Sequence, residues 1–168
     1  MRGGAVTPAV RRVLWCLAVA FVVHEAEEWN LGAWERATFT PPPDVSDREL
    51  RTLLAVFAAL GFGFTALALT RFRPRTALLA LLPLYVTVIF GNALTHLYWF
   101  FRFGGYGPGV LSAAVLVAPL TLVLVYLVLR DRAAPRAYVT LLLALALLQP
   151  LGAASLGAGY YAGLWGAG

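Results

Sequence analysis

Apolar residues fall into five long runs along the chain, separated by short polar or basic segments. Each run approaches the roughly 20 residues that an α-helix needs to cross the hydrocarbon core of a bilayer. The runs predict helices over about residues 9–34, 47–70, 76–103, 110–129 and 137–165. We therefore predict a single domain over residues 1–168, an all-α polytopic transmembrane bundle of about five membrane-spanning helices.

The segments between the runs contain residues that begin and end helices. Three consecutive prolines at 41–43 cannot continue a helix. Ser46 predicts the start of the second helix, because its side chain can accept a hydrogen bond from a free N–H of the first turn. The stretch GGYGPG, residues 104–109, ends the third helix. Pro150, between Gln149 and Leu151, predicts an interruption of the fifth helix.

The composition agrees with a membrane protein. The 168-residue chain is 61% hydrophobic and only 12% charged, whereas soluble domains contain about 25% charged residues. Its net charge of +5 comes from arginines in the short connecting segments. This pattern is typical of membrane flanks and not of a face that binds nucleic acid. All thirteen basic residues are arginine, which with the Ala, Leu, Val and Gly bias indicates a GC-rich bacterial genome.

The arginines also predict an orientation, because cytoplasmic loops carry an excess of basic residues. Nine arginines fall on the side of the N-terminus and four on the other side. The N-terminus is therefore predicted to be cytoplasmic and the C-terminus outside, in a bacterial plasma membrane. Aromatic residues near the outer side predict an interfacial belt. They are Trp29, Trp34, Tyr98, Trp99, Tyr106, Tyr160, Tyr161 and Trp165.

Ionisable residues interrupt the apolar pattern in the second half of the first helix, in the sequence HEAEE at 24–28. Charged groups inside a membrane segment are costly, so they almost always face the bundle interior or a wet cavity. His24, Glu27 and Glu28 are spaced at i, i+3 and i+4 and are predicted to share one face. Glu25 points about a quarter-turn away, and Glu35 continues the shared face two turns later.

The third helix offers a matching pair, Asn92 and His96, at positions i and i+4. Glu28 lies sixteen residues after Arg12, and Asn92 lies seventeen residues after Arg75. With a rise of about 1.5 Å per residue, both would lie about 25 Å from the arginine-rich side. The two polar groups are therefore predicted to meet at one depth in the outer half of the bilayer.

Two imidazoles with one or two carboxylates can bind a divalent transition metal, either zinc with an open position for water or non-haem iron. The predicted ligands are His24, His96 and Glu27 or Glu28, with Asn92 as a weak ligand or as a hydrogen-bond donor behind one. The glutamate that does not bind the metal is predicted to be the general base. This interpretation describes an enzyme that acts on a lipid or other apolar substrate. Hydrolysis is favoured over oxidation because no cytosolic domain is predicted that would deliver electrons.

The same residues also suit two functions that need no resident metal. Crowded glutamates with a histidine as proton carrier are typical of an acid–base isomerase. Carboxylates and histidines inside a membrane also serve as the ion site of small proton- or cation-coupled transporters. The absence of an internal sequence repeat counts against the transporter.

Comparison with known motifs excludes one protease signature and indicates a protein family. HEAEE is not the H-E-x-x-H zinc protease signature, because Glu28 occupies the position of the second histidine. The order H-x-x-E-E at 24–28, N-x-x-x-H at 92–96 and Y-G-P-G at 106–109 resembles the HXXEE-domain family of bacterial membrane proteins. The resemblance extends from the first helix to at least Pro119. It implies a compact multi-spanning bundle with the five motif residues at its functional site, and it implies no particular activity.

Overall fold

The computed structural model describes residues 6–40 and 42–156, and within these ranges all regular structure is helical. The helices are α1 (Pro8–Glu27), α2 (Leu31–Thr38), α3 (Asp47–Arg71), α4 (Pro74–Phe103), α5 (Val110–Arg130) and α6 (Arg136–Leu156). The predicted all-α helical bundle is confirmed.

Four of these helices, α3 to α6, are long and apolar enough to cross a membrane. The protein is therefore a multi-pass membrane protein. The 20-residue α1 is of spanning length, but it carries Arg11 and Arg12 near its start and Glu25 and Glu27 near its end. One face of its apolar middle section packs against the other helices, and the opposite face, with Val19 and Val23, is exposed.

One side of α1 forms much of the bundle core. Val10, Leu14, Leu17 and Phe21 recur at intervals of three or four residues and are buried, which is the spacing of a single helix face. This face packs against α3 and α5. His24 and Glu28 continue this face at the same spacing and are therefore also brought inside the bundle.

The first predicted helix is divided in the structure. The prediction of one helix over 9–34 is wrong at its second half, because α1 ends at Glu27 and a 3₁₀ turn, Glu28–Asn30, connects it to α2. A 3₁₀ turn has three residues per turn, so side chains after it point in directions that an uninterrupted α-helix would not give. No glycine or proline marks this turn in the sequence.

The last helix is continuous where the sequence predicts an interruption. Pro150 does not interrupt α6, which continues through it to Leu156. A proline removes the hydrogen bond to the carbonyl four residues earlier, here that of Ala146. Gly91 of α4 approaches this carbonyl so closely that a Cβ at Gly91 would lie 2.9 Å from its oxygen. Tight packing of α4 on α6 therefore supports the helix at this point. The predicted continuation over 157–165, with Tyr160, Tyr161 and Trp165, lies outside the described residues.

Two helices contain wider, π-helical segments next to the polar residues of the interior. They are Pro83–Ile89 in α4 and Ala113–Val117 in α5. Asn92 follows the first segment by three residues, and Ser112 directly precedes the second. Single π-helical turns inside α-helices occur often at functional sites, because they change the direction of the neighbouring side chains.

Candidate functional site

A single carboxylate oxygen connects the two histidines of the chain. Oε1 of Glu28 lies 2.9 Å from Nε2 of His24 and 2.8 Å from Nε2 of His96. All three side chains are buried. The two imidazole rings stand nearly perpendicular to each other, with their centroids 5.0 Å apart. The end of α1 and the middle of α4 are thus joined by a compact polar cluster.

Asn92 completes the cluster. Its Nδ2 lies 3.1 Å from Nε2 of His24 and donates a hydrogen bond of 3.4 Å to Oε1 of Glu28. The structure therefore brings together His24, Glu28, Asn92 and His96, four of the five residues that the sequence motifs single out. The carboxylate of Glu27 is not among them.

Ser112, at the start of α5, fixes the orientation of the His24 ring. Its Oγ lies 2.8 Å from Nδ1 of His24 and donates its hydrogen to the carbonyl oxygen of Gly109 at 3.3 Å. If Oγ–H keeps its bond to Gly109, Oγ accepts from Nδ1–H of His24 and Nε2 is an acceptor that faces the amide of Asn92. If Oγ–H turns to Nδ1, Nε2 carries the hydrogen and faces Glu28.

The short contact between His24 and Glu28 brings a ring nitrogen and a carboxylate oxygen to 2.9 Å from each other. With hydrogen on Nε2 this contact is a hydrogen bond; in the other tautomer a metal ion can bind the electron pairs of both atoms. Nε2 of both histidines and a Glu28 oxygen all lie within 4.8 Å of one another, which is compact enough for one ion.

Glu27 has different partners. Its Oε1 accepts hydrogen bonds from the hydroxyl of Tyr106 at 2.5 Å and from N–H of Leu111 at 3.0 Å, and its Oε2 accepts from N–H of Ser112 at 2.7 Å. The N-cap residue of α5 is Gly109, which has no side chain to accept these first-turn N–H groups. Glu27 therefore caps α5 from another helix.

Tyr106 joins this contact from the loop before α5. The hydrogen bond to the Glu27 carboxylate raises the pKa of Tyr106 to about 12, because a negative acceptor beside the phenol disfavours its ionised form. The sequence predicts Tyr106 as part of an interfacial aromatic belt, and it indicates nothing of this bond. The histidine and the last two glutamates of HEAEE are thus divided between the polar cluster and the loop.

The absence of a side chain at Gly109 leaves the space that the His96 ring occupies. Gly109 has φ +87°, and a Cβ added to it would lie 2.7 Å from Cε1 of His96 and 3.0 Å from Oε1 of Glu28. Left-handed backbone favours glycine, and the close approach leaves no room for a side chain. The glycine of the Y-G-P-G motif is therefore part of the wall of the site.

A cavity of about 500 Å³ adjoins the polar cluster, between α1, α2, α3, α4 and α6. Most of its lining is apolar, and Phe57, Leu60 and Val88 are also exposed on the outside of the bundle. The cavity therefore reaches the apolar surface that faces lipid. Its polar lining residues are Glu25, Glu28, Glu35, Asn92, Thr95, His96 and Gln149.

Sequence reasoning missed two residues of the site. Glu25, predicted to point about a quarter-turn away from the shared face, is buried at the cavity wall, and no described residue forms a hydrogen bond with its Oε2. Ser112 is an ordinary small polar residue in the sequence, and only its nearness to the Y-G-P-G motif could have drawn attention to it. Glu35, which the helical spacing places on the face of Glu28, does line the cavity.

Comparison with known proteins gives a family and no activity. Residues 15–124 match the model of a family described as proteins of unknown function with an HXXEE motif. Neither the curated proteins nor the solved structures contain a significant match to the chain. The matched region makes up more than half of the chain and includes the residues of the polar cluster. The protein therefore belongs to the HXXEE family.

Proposed function

We propose that the protein is a membrane-embedded, metal-dependent hydrolase that acts on a lipid or other apolar substrate. Its metal would be a divalent transition ion, zinc or iron, held by His24, Glu28 and His96. The observation that carries the proposal is the buried group of His24, Glu28 and His96, whose possible ligand atoms all lie within 4.8 Å of one another. Two histidines and one glutamate form a known ligand set of catalytic zinc sites, which leave a further position open for water.

Hydrogen bonds behind the ligands support the metal over a lone proton. Histidines that bind a metal usually donate the other ring N–H to a fixed acceptor, and the Ser112 hydroxyl, 2.8 Å from Nδ1 of His24, is placed to be that acceptor. Asn92 donates to the Glu28 carboxylate and so holds its orientation. A ring and a carboxylate restrained in this way offer their electron pairs to one point.

The chemistry of hydrolysis fits what the chain provides around that point. A bound divalent metal supplies Lewis acidity and makes its water a nucleophile at neutral pH. Glu25 is the further carboxylate at the cavity wall, with an oxygen that is free of hydrogen bonds from described residues. It takes the role of general base better than Glu27, whose two oxygens are occupied by α5 and Tyr106. The apolar cavity lining admits an apolar substrate from the side of the membrane.

The placement of the helix ends supports the proposed location in a bacterial plasma membrane with a cytoplasmic N-terminus. Thr7, before α1, bonds Asp131 after α5 at 3.0 Å, and Arg11 donates to the carbonyl of Leu69 at 3.0 Å. The start of α1 and the ends of α3 and α5 therefore lie on one side. That side carries most of the arginines, as expected of a cytoplasmic face.

Elemental analysis of the full chain, purified in mild detergent, tests the metal. We expect about one zinc or iron per chain, as in other mononuclear sites, and loss of that metal in His24→Ala, His96→Ala and Glu28→Gln. Glu27→Gln is the matched control: it changes the neighbouring glutamate of the motif and should retain the metal.

A folded protein that takes up neither zinc nor iron would refute the metalloenzyme. The proton alternative would then explain the 2.9 Å contact, with the cluster acting in acid–base catalysis or in ion-coupled transport. Loss of metal in Glu27→Gln as well as in Glu28→Gln would show that the ligand set differs from the one proposed.

A further inference from the structure

The wall of the cavity next to the polar cluster is acidic. Glu25, Glu28 and Glu35 all line the cavity and all are buried. Among the described residues, no arginine lines it, and the basic group that lines it is the imidazole of His96. Phosphate, sulfate and carboxylate groups would therefore be repelled from this wall.

Glu35 forms no ion pair within 4.0 Å in the described part of the chain. It is only 4% exposed, and no described residue donates a hydrogen bond to its side chain. The neighbouring Arg36 forms an ion pair of 2.6 Å with Asp47 instead. The Oε2 atom of Glu25 at the same wall is buried, and no described residue bonds it. A buried polar group without a partner is costly, and such a group at a cavity wall is a site that a ligand can complete.

We propose that the cavity binds an amphiphile with a primary amine at its polar end, with the ammonium at Glu35 and the acyl or alkyl chain along α3 and α4. An ammonium offers three N–H donors and a positive charge. The carboxylates of this wall can accept hydrogen bonds from such a group and balance its charge. The chain would lie against Phe57, Leu60 and Val88, which connect the cavity to the lipid-facing surface. The volume of about 500 Å³ is within the usual range of small-molecule sites. The inference that this amphiphile is the substrate rests on the proposed function. The inference that the cavity binds it rests on the cavity alone.

Photo-crosslinking in phosphatidylcholine nanodiscs tests the inference on the full chain. The probe is hexadecylamine with a photoreactive diazirine in its tail, and the competitors are unlabelled hexadecylamine, hexadecanol and hexadecanoic acid. We expect crosslinks on α3 and α4 at the cavity, and competition by the amine at about tenfold lower concentration than by the alcohol, as a buried charged hydrogen bond provides. The acid should not compete.

Two variants separate binding at the acidic wall from partitioning into the bilayer. Glu35→Gln should weaken the labelling about tenfold, because it removes the charge and keeps the shape. Asp44→Asn removes a charge from the exposed loop before α3 and should label like the wild type. If Glu35→Gln does not fold, Glu25→Gln serves in its place. Equal labelling of all variants, or equal competition by the alcohol, would overturn the inference.

Metal content measured on the same samples separates the two proposals. A metal-free wild type that binds the amine selectively would refute the metalloenzyme and leave the ligand site intact. A metal-loaded wild type that shows no preference for the amine would refute the ligand and leave the metalloenzyme intact.

Discussion

Glu27 and Glu28 are neighbours in the chain, but their carboxylates bind in separate places. Oε1 of Glu28 lies within 2.9 Å of both histidines, whereas Glu27 accepts hydrogen bonds from Tyr106 and from the first turn of α5. The change from α-helix to 3₁₀ turn falls between them, since α1 ends at Glu27 and the turn begins at Glu28. Glu28 therefore joins the two histidines of the cluster, and Glu27 binds the start of α5, which lies beside the cluster.

Glu27→Ala should destabilise the protein and Glu27→Gln should do so much less. Alanine leaves two N–H groups of the α5 first turn without an acceptor, and loss of a helix cap costs about 1–2 kcal/mol. Glutamine keeps one acceptor oxygen. The free energy of unfolding or the thermal midpoint, measured in detergent for both variants, checks this. Equal losses would mean that the charge of Glu27 matters more than its hydrogen bonds.

Gly109→Ala should disrupt the polar cluster. The new Cβ would lie 2.7 Å from Cε1 of His96, and φ +87° is unfavourable for alanine. We expect a loss of several kcal/mol in stability, as steric overlap and strained backbone add, or a folded protein without metal. Gly105→Ala is the matched control in the same loop, because nothing lies within 4 Å of the position that its Cβ would take. If both variants behave like the wild type in stability and metal content, the loop does not contact His96 as described.

The convergence of α1 and α4 was predictable from the sequence because it depends on the spacing of residues along each helix and on the rise per residue. Helical spacing places His24 and Glu28 on one face and Asn92 and His96 on another, and the rise per residue gives both pairs a common depth. Nothing further is required once both helices start on the same side of the membrane. The structure joins these four side chains within hydrogen-bond distance.

The parts that were not predictable depend on contacts between distant segments. Glu27 and Glu28 both lie on the helix face of His24. Glu27 instead binds the first turn of α5, because the loop before α5 returns to α1 at this point. The same loop brings Ser112 to His24 across 88 positions of the chain. Pro150 predicts a helix break, but close packing at Gly91 lets α6 continue. In each case tertiary packing overrides the local sequence signal.

Ser112→Ala should weaken metal binding without unfolding the protein. The variant removes the hydroxyl that bonds Nδ1 of His24, and loss of a hydrogen bond behind a ligand reduces metal affinity about 10–100-fold. Competition with a chelator of known affinity measures this. Thr121→Val, which removes a buried hydroxyl from the same helix, is the control, because no described residue forms a hydrogen bond with Thr121 Oγ1. Equal metal affinity in Ser112→Ala and the wild type would exclude the positioning role.

Titration of Tyr106 should report the contact between the loop and α1. Its pKa is raised to about 12 by the Glu27 carboxylate, against about 10 in an unfolded chain. A raised pKa means that the contact stabilises the fold fully below pH 10 and that this contribution is lost as the pH rises through 12. The ultraviolet difference titration of wild type against Tyr106→Phe should therefore show one phenol ionising near pH 12. In Glu27→Gln the same phenol should ionise closer to pH 10, about its ordinary value; an unchanged titration in that variant would mean that Glu27 does not bind Tyr106 in the folded protein.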